Sequence, residues 1–291
     1  MGLKTMKSSK TPQNITIKPN RMDFEFGDHI PKYWCYNDPF MTHFVGALST
    51  FFPDGERFFI DSVRHYREVV KDDKVRQQEI AGFIGQEAHH SKEHEALNLM
   101  MEKRGLPALS GAKAALTLLN WGRRKFPPRA QLAATVALEH FTAILAHRLL
   151  SNTDLINAMD DSIKPVWMWH AIEETEHKAV AFDLYKDVRG NNYQEMVFTM
   201  IMASLLLAGT TAIYQVRFMA NDGQLLNIKS WAFGLNKLFG RKGVITGLVP
   251  DYLDFFKRDF HPWDHQNSEL VDYWRVRLET ELEKLKLLKA A

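Results

Sequence analysis

The sequence predicts an all-α protein. Apolar residues recur every three to four positions in long segments, and these segments end at proline or glycine. Alternating apolar and polar residues, the pattern typical of strands, do not form convincing runs. With 291 residues, of which 45% are hydrophobic, the chain is long enough to bury a sizeable core.

Helices are predicted throughout the chain beyond residue 50. The run PDG at 53–55 marks the start of the first helix, and the run GLP at 105–107 ends the second. Two consecutive prolines at 127–128 break the chain again. The predicted helices are 56–70, 73–104, 109–121, 129–150, 160–188, 193–220, 225–239, 244–256 and 268–289.

We expect three parts along the chain. Residues 1–22 are predicted to form a flexible N-terminal segment, because they are polar and basic and contain no apolar core of a secretory signal. Residues 23–265 are predicted to form one helical domain, and residues 266–291 a C-terminal helix.

One apolar segment allows two interpretations. Residues 196–216 contain no charged side chain and are long enough to cross a bilayer as a helix. Several Thr and Ser residues interrupt the segment, so the preferred interpretation is a central helix buried on all sides. Contact with a membrane, by spanning it or lying on it, is the alternative.

Composition excludes several classes of protein. The net charge is +2, and the only basic run, Arg123 to Lys125, is short, so no nucleic-acid partner is expected. The single cysteine, Cys35, excludes an intrachain disulfide or a thiolate metal cluster. A lone thiol fits a reducing compartment, so we expect a cytoplasmic protein, with membrane association as the alternative.

Two copies of the motif Glu-x-x-His are the main candidates for functional residues in the sequence. The first joins Glu87 to His90, and the second joins Glu174 to His177. Residues three apart lie on the same face of a helix, so each motif presents a carboxylate and an imidazole together. Either motif alone is weak evidence of a functional site, because this spacing arises by chance on many solvated helix faces.

A further glutamate precedes each motif by one helix and its return. Glu56 lies 31 residues before Glu87, and Glu139 lies 35 residues before Glu174. Glu139 stands in an otherwise apolar run, where an unpaired carboxylate would be costly to bury. Glu56 alone would read as an ordinary charge at a helix start, so its assignment depends on the pattern.

This order of residues is the ligand set of di-iron carboxylate bundles. Such bundles take one Glu from each of two helices and Glu-x-x-His from each of the other two. Oxygen ligands with imidazole suit iron, with manganese as the alternative. The sequence therefore predicts that the domain 23–265 is a ferritin-like four-helix bundle with two Fe ions, extended by additional C-terminal helices.

Other polar residues lie close to the predicted ligands. His170 precedes Glu174 by four and His177 by seven positions, so the three form one helical stripe and His170 is a predicted ligand. Glu173 lies four residues before His177, so by spacing it is an alternative to Glu174 as the predicted ligand. His94 could be a ligand, a proton donor or a partner of a ligand. The remaining candidates are predicted to lie outside the ligand set, facing outward or contacting ligands: His89, Glu93, Glu176, Asp183 and Asp254.

The sequence resembles a bacterial family described as predicted metal-dependent hydrolases. The resemblance covers roughly residues 25–265 and rests on the runs HFV at 43–45, FFPDGERFF at 51–59, QEAHH at 86–90, HAIEETEH at 170–177 and FHPW at 260–263. The ligand order is also similar to that of the di-iron arylamine N-oxygenases. That similarity implies seven metal ligands: Glu56, Glu87, His90, Glu139, His170, Glu174 and His177.

Three functions are compatible with this pattern. The first is an O2-activating di-iron oxidase or oxygenase acting on a small organic or lipid-like substrate, with Phe59, Phe83, Phe141 and Trp167 expected to wall its pocket. The second is a dinuclear metal-dependent hydrolase, although seven protein ligands leave few positions for water. The third is non-enzymatic iron handling or a purely structural bundle.

Overall fold

The structure, a computed structural model, describes residues 10–190 and 192–290. These residues form α-helices and two short 3-10 helices, with no β-strand among them, so the predicted all-α class is confirmed. The α-helices are α1 Pro39–Tyr66, α2 Lys74–Lys103, α3 Ala108–Lys125, α4 Pro128–Ser151, α5 Thr153–Asn157, α6 Lys164–His177, α7 Val180–Arg189, α8 Tyr193–Asn221, α9 Ile228–Phe239, α10 Val244–Asp254 and α11 Ser268–Ala290.

The first helix is longer than the sequence predicted. It was expected over 56–70, but α1 begins at Pro39 and continues through Pro53. A proline inside a helix leaves the carbonyl four residues earlier without its N–H partner. Here that carbonyl belongs to Ser49, and the side-chain amide of Asn98 donates to it at 3.2 Å. A side chain from α2 thus replaces the missing hydrogen bond and allows the helix to continue.

The prediction of a single helix over 160–188 is also wrong. The structure has two helices there, α6 and α7, separated by a turn at residues 178–179. Lys178 turns away from the helix axis, and its ammonium donates to the carbonyl of His265 and to Asn267 Oδ1, both at 2.7 Å. The other seven predicted helices agree with the structure to within four residues at each end.

Four helices form the centre of the molecule. α1 packs along α2, α4 packs along α6, and further contacts join α1 to α4 and α2 to α6. α8 lies across α1 and α4, and α11 packs on α6. Three apolar clusters surround this centre, one that includes Phe83 and Tyr185, a second that includes Phe40 and Phe218, and a third that includes Trp169 and Trp274. The polar centre between them holds the candidate site.

The segment before α1 lies against α2. The backbone of Ile17 approaches Gly82 so closely that a Cβ there would lie 2.2 Å from the Ile17 carbonyl oxygen, and Pro19 covers Gly85 in the same way. The predicted flexible segment 1–22 begins with nine residues that lie outside the described part. The boundaries at residues 22 and 265 stay predictions.

The helix α8 differs from the preferred interpretation of residues 196–216. Only 22% of its most apolar 18-residue window is buried. One face, which includes Met200, Tyr214 and Phe218, packs on the core. The opposite face exposes large apolar side chains, among them Phe198 and Leu205. By length and composition alone α8 could cross a membrane, and the expectation that it is enclosed on all sides is wrong.

Candidate metal centre

The structure brings all seven predicted ligand residues together between α1, α2, α4 and α6. All seven are buried. At one end of the group, His177 Nε2 lies 3.1 Å from Glu87 Oε1 and 3.5 Å from both Glu139 Oε2 and Glu174 Oε2. These four side chains present one atom each within 4.8 Å of one another, which is close enough to share one cation.

A second group adjoins the first. His90 Nδ1 lies 3.4 Å from Glu174 Oε1 and 3.9 Å from Glu87 Oε2. His170 Nε2 lies 2.9 Å from Glu174 Oε1. Glu56 completes this end, with one atom within 4.8 Å of Glu87 and His90. Glu87 and Glu174 therefore belong to both ends of the cluster, as carboxylates that bridge two cations would.

The polar atoms that converge on the cluster have no hydrogen-bond partner. They are both carboxylate oxygens of Glu56, Glu87 and Glu139, together with Glu174 Oε2, His90 Nδ1 and His177 Nε2. Buried polar atoms almost always have a partner, because each one left without it costs about 1–3 kcal/mol. Cations bound within this cluster would satisfy these nine atoms, and the mixture of carboxylate and imidazole fits divalent transition metals.

Each of two predicted ligand histidines is held by the ring nitrogen that faces away from the cluster. His90 Nε2 donates to Glu173 Oε2 at 3.0 Å, and Glu173 also accepts from Asn20. His177 Nδ1 donates to Gln86 Oε1 at 2.9 Å. Such partners fix the tautomer of a ligand histidine. His90 thus directs Nδ1, and His177 directs Nε2, into the cluster.

The third histidine is held by a chain of polar side chains that ends at α1. Asn98 Nδ2 donates to the Ser49 carbonyl, so its Oδ1 accepts the hydroxyl hydrogen of Ser49 at 3.0 Å. Ser49 Oγ must then accept from His94 Nδ1 at 2.9 Å, and His94 Nε2 accepts from His170 Nδ1 at 2.5 Å. His170 Nε2 is left unprotonated beside Glu174 Oε1, an approach of two acceptors that a shared cation would stabilise.

The pKa values of the carboxylates show how protons occupy this cluster. Burial, with repulsion from neighbouring carboxylates, raises the pKa of Glu56 and Glu139 well above the usual carboxyl range, and burial also raises the pKa of Glu87. Burial opposes the charge of Glu174 as well, but the neighbouring His177 ring holds the pKa of Glu174 well below that range. Binding of a cation would therefore compete with protonation, most strongly at Glu56 and Glu139.

The histidines divide into two kinds. Burial lowers the pKa of His170 to about 4 and that of His94 well below its ordinary value, so both rings are neutral at pH 7. Burial acts in the same direction on His90 and His177, but their carboxylate neighbours raise both pKa values well above the ordinary one. Protons on these two rings also compete with a cation.

Three neighbouring glutamates lie outside the cluster of predicted ligands. Glu173, a competitor for Glu174 by spacing, contacts His90 from outside the cluster. Glu176 accepts from Gln86 and from Arg275, as expected of a residue behind the ligands. Glu93 accepts from the backbone N–H groups of residues 23 and 24 and touches no ligand.

Two predicted partners of ligand imidazoles bind other histidines instead. Asp183 Oδ1 accepts from His261 and its Oδ2 from Arg76, while Asp254 accepts from His265. Sequence reasoning missed Gln86, Ser49 and Asn98, which form the hydrogen bonds that hold the predicted ligand histidines. The sequence signal that could have indicated Gln86 and Asn98 is their position on α2, the helix with the first Glu-x-x-His motif.

A large apolar cavity leads to the cluster. It has a volume of about 720 Å³ and lies between α1, α3, α4 and α8. Glu56 and Glu174 lie on its wall beside Phe59 and Phe141, as predicted for these two rings. A second cavity of about 110 Å³ touches His170 and Glu174 and is walled by Trp167. Phe83 lines neither cavity and packs instead against His177, with ring centroids 4.9 Å apart.

The comparisons with known proteins identify a family. A family described as "Predicted metal-dependent hydrolase" matches residues 18–266, which is most of the chain. The chain belongs to this family, and the resemblance found in the sequence is confirmed. No curated protein and no solved structure matches the chain. The family and the buried Glu and His cluster together indicate a metal-binding protein.

Proposed function

We propose that this member of the predicted metal-dependent hydrolase family is a ferritin-like protein that binds two iron ions and oxidises an apolar substrate with O2. The observation that carries the proposal is the ligand set. α1 and α4 each supply one Glu, and α2 and α6 each supply Glu-x-x-His, which is the arrangement of ferritin-like di-iron carboxylate proteins.

The geometry suggests which residues would hold each ion. One ion would bind Glu139 and His177, and the other would bind the set Glu56, His90 and His170. Glu87 and Glu174 belong to both groups and would bridge the two ions. Four carboxylates would offset the charge of two divalent ions, which explains how so many acidic groups can be buried together.

The cavity wall favours oxidation of an apolar group. Thr142, Thr199 and Thr210 line the cavity, but their hydroxyls donate to carbonyls of their own helices. The amide of Gln131 donates to two backbone carbonyls, and Arg129 pairs with Glu195. A hydrolase needs donors that orient an ester, amide or phosphate, and these polar side chains of the wall are already paired.

The chain's own residues would position the substrate and exclude water. Phe52, Phe59, Leu138 and Phe141 surround the inner end of the cavity, next to Glu56 and Glu174. Bound iron would supply the site at which O2 is reduced. Insertion of one oxygen atom into a C–H or N–H bond takes two electrons from the substrate and two from an external reductant, and the second oxygen atom leaves as water.

The second candidate function is metal-dependent hydrolysis, and the description of the family favours it. Two adjacent metal ions can generate hydroxide and stabilise a leaving group. On this alternative the same residues hold the ions, but zinc or manganese would serve as well as iron, and O2 would play no part.

The experiment that separates the two candidates is loading of the purified protein with Fe(II), Mn(II) or Zn(II) under anaerobic conditions. Oxidation predicts about two Fe(II) per chain and O2 consumption that Zn(II) does not support. Hydrolysis of chromogenic esters by the Zn(II) or Mn(II) form, with an Fe(II) form that does not react with O2, would contradict oxidation.

A matched pair of variants ties either activity to the cluster. Glu139→Gln removes a carboxylate from the cluster, and Glu281→Gln changes a similarly buried carboxylate on α11 that lies outside it. We expect E139Q to lose one of the two ions together with activity, and E281Q to retain both ions and activity.

A further inference from the structure

We propose that the exposed apolar surface of α3, α8 and α9 docks on an anionic bilayer, and that a long-chain lipid enters the cavity from that side. The surface includes large apolar side chains that are at least two-fifths exposed: Leu109, Trp121, Phe198, Leu205, Leu206, Ile213, Leu226, Ile228 and Phe239. Soluble proteins rarely expose so many neighbouring apolar groups unless they form a binding surface.

The helix α8 lies along this surface and is tied to the core on its other side. Tyr214 and Phe218 are buried in the apolar cluster beneath it, and Gln215 Nε2 donates to the Phe40 carbonyl at 3.1 Å. A helix held in this way presents one face to a bilayer and leaves the other in the protein. The arrangement is that of a helix lying in the interface of a membrane.

The charge of these segments complements an anionic membrane. Residues 105–131 and 193–250 contain ten Lys or Arg but two acidic residues, Glu195 and Asp222. The Glu195 carboxylate is paired with Arg129 and Arg189, and that of Asp222 with Lys32 and His43. The other residues hold 27 Lys or Arg and 33 Asp or Glu, so positive charge is concentrated on the elements that expose apolar side chains. Each basic group near an anionic bilayer strengthens binding.

The cavity opens on the same surface. Trp121 of α3 and Phe198 of α8 both line it, and they are 47% and 60% exposed. Its volume of about 720 Å³ lies in the range of sites for small organic ligands, and its wall is almost wholly apolar. The hydrocarbon chain of a lipid leaving the bilayer would therefore pass between α3 and α8 toward Glu56 and Glu174 without crossing water.

The role of the bound lipid as a substrate rests on the proposed function. Docking on the membrane and binding of the lipid in the cavity do not depend on it. Docking and lipid binding can both be tested on metal-free protein, so either can fail while the metal chemistry stands, and the reverse.

The docking test is flotation of the full chain with vesicles of phosphatidylglycerol and phosphatidylcholine, compared with phosphatidylcholine alone. The variant Leu205→Asp with Ile213→Asp changes two side chains that are 64% and 58% exposed and do not line the cavity. Its control, Val75→Asp with Val276→Asp, changes equally exposed side chains on α2 and α11.

We expect binding to the anionic vesicles, with the first variant weakened about 100-fold and the control unchanged, since each inserted Leu or Ile contributes roughly tenfold or more. Binding should also fall as salt is raised. Failure to float, or equal loss in both variants, would overturn the proposal. So would a soluble oligomer that L205D/I213D dissociates, because the surface would then join copies of the chain.

Entry of a chain into the cavity is tested with a fluorescent conjugated fatty acid and no vesicles. Ala203→Phe narrows the cavity, and Ala208→Phe adds the same ring to an exposed position of α8 outside the cavity wall. We expect A203F to bind the probe at least tenfold more weakly than A208F. Equal affinities would show that the chain does not occupy the cavity.

Discussion

Replacement of His94 by leucine tests how the cluster holds His170. The substitution removes the acceptor of the His170 Nδ1–H group, which lies 2.5 Å from His94 Nε2 in a fully buried place. A buried donor without a partner costs about 1–3 kcal/mol. The unpartnered ring is free to turn or to change tautomer, and either change withdraws Nε2 from the cluster.

The expected loss of metal affinity follows from this cost. Replacement of a residue that orients a ligand histidine lowers affinity about 10- to 100-fold. At about 1.4 kcal/mol for each factor of ten, this is roughly 1.4–2.8 kcal/mol. The two figures agree, so H94L should still bind two ions per chain but hold the one at the His170 end 10- to 100-fold more weakly.

A direct ligand role for His94 predicts a different result. Glu56, His94 and His170 present atoms within 4.8 Å of one another, so they form a conceivable metal group. In the structure, however, both nitrogens of His94 have hydrogen-bond partners, Ser49 at Nδ1 and His170 at Nε2. Binding a metal through His94 would break one of these bonds.

Two further variants separate the roles. His94→Gln keeps a side-chain oxygen that can accept from His170, so it should restore most of the affinity that H94L loses. His140→Leu is the control, because His140 is a buried histidine that bonds the Asp251 carbonyl outside the cluster. We expect H140L to lose stability without a change in metal affinity.

The assay is competition for Mn(II) between protein and a chelator, with bound metal counted after dialysis. If H94L and H94Q both bind one ion per chain, His94 is a ligand and the positioning role is refuted. If H94L binds both ions as tightly as the unchanged protein, the hydrogen-bond chain from His170 to Asn98 has no effect on the metal.

Three further results are expected. Glu139→Gln should reduce Mn(II) binding from two ions to one per chain, measured by metal analysis, because Glu139 belongs only to the group at the His177 end; retention of two ions would contradict that assignment. Metal affinity should rise with pH above the usual carboxyl range, because the raised pKa of Glu56 favours a proton that metal must displace, and calorimetry in buffers of different ionisation enthalpy should detect its release. Gly234→Ala should lower the free energy of unfolding in urea by about 1–3 kcal/mol, since its Cβ would lie 1.9 Å from Phe40 Cδ1, whereas Gly55→Ala, with no atom within 4 Å, should raise it by about 0.5–1 kcal/mol.

The sequence predicted most helices because their limits depend on local signals. Prolines, glycines and capping residues act within a few positions, and the ends of α2 and α4 follow them closely. α1 did not follow these signals, because Asn98, 45 residues after Pro53, supplies the hydrogen bond that lets the helix pass the proline. A helix completed by a distant side chain cannot be predicted from its own segment.

The candidate site likewise combines residues that local spacing predicts with residues that only the packing of distant segments brings together. Helical spacing places Glu87 with His90, and His170 with Glu174, so these pairs could be predicted from one turn of helix. The groups behind the ligands come from distant segments, such as Asn20 behind Glu173 and Arg275 behind Glu176. Their positions depend on how α2, α6 and α11 pack, which no local pattern specifies.

The two ends of the cluster differ in their access to substrate. Glu56 and His170 each line a cavity, as does the shared Glu174, whereas Glu139 and His177 line neither. The ring of Phe83 closes the His177 end. An ion at the His170 end would therefore face an incoming substrate, and an ion at the His177 end would be enclosed by protein. The two positions are thus unequal, and we expect substrate to meet an ion at the end where His94 positions the predicted ligand His170.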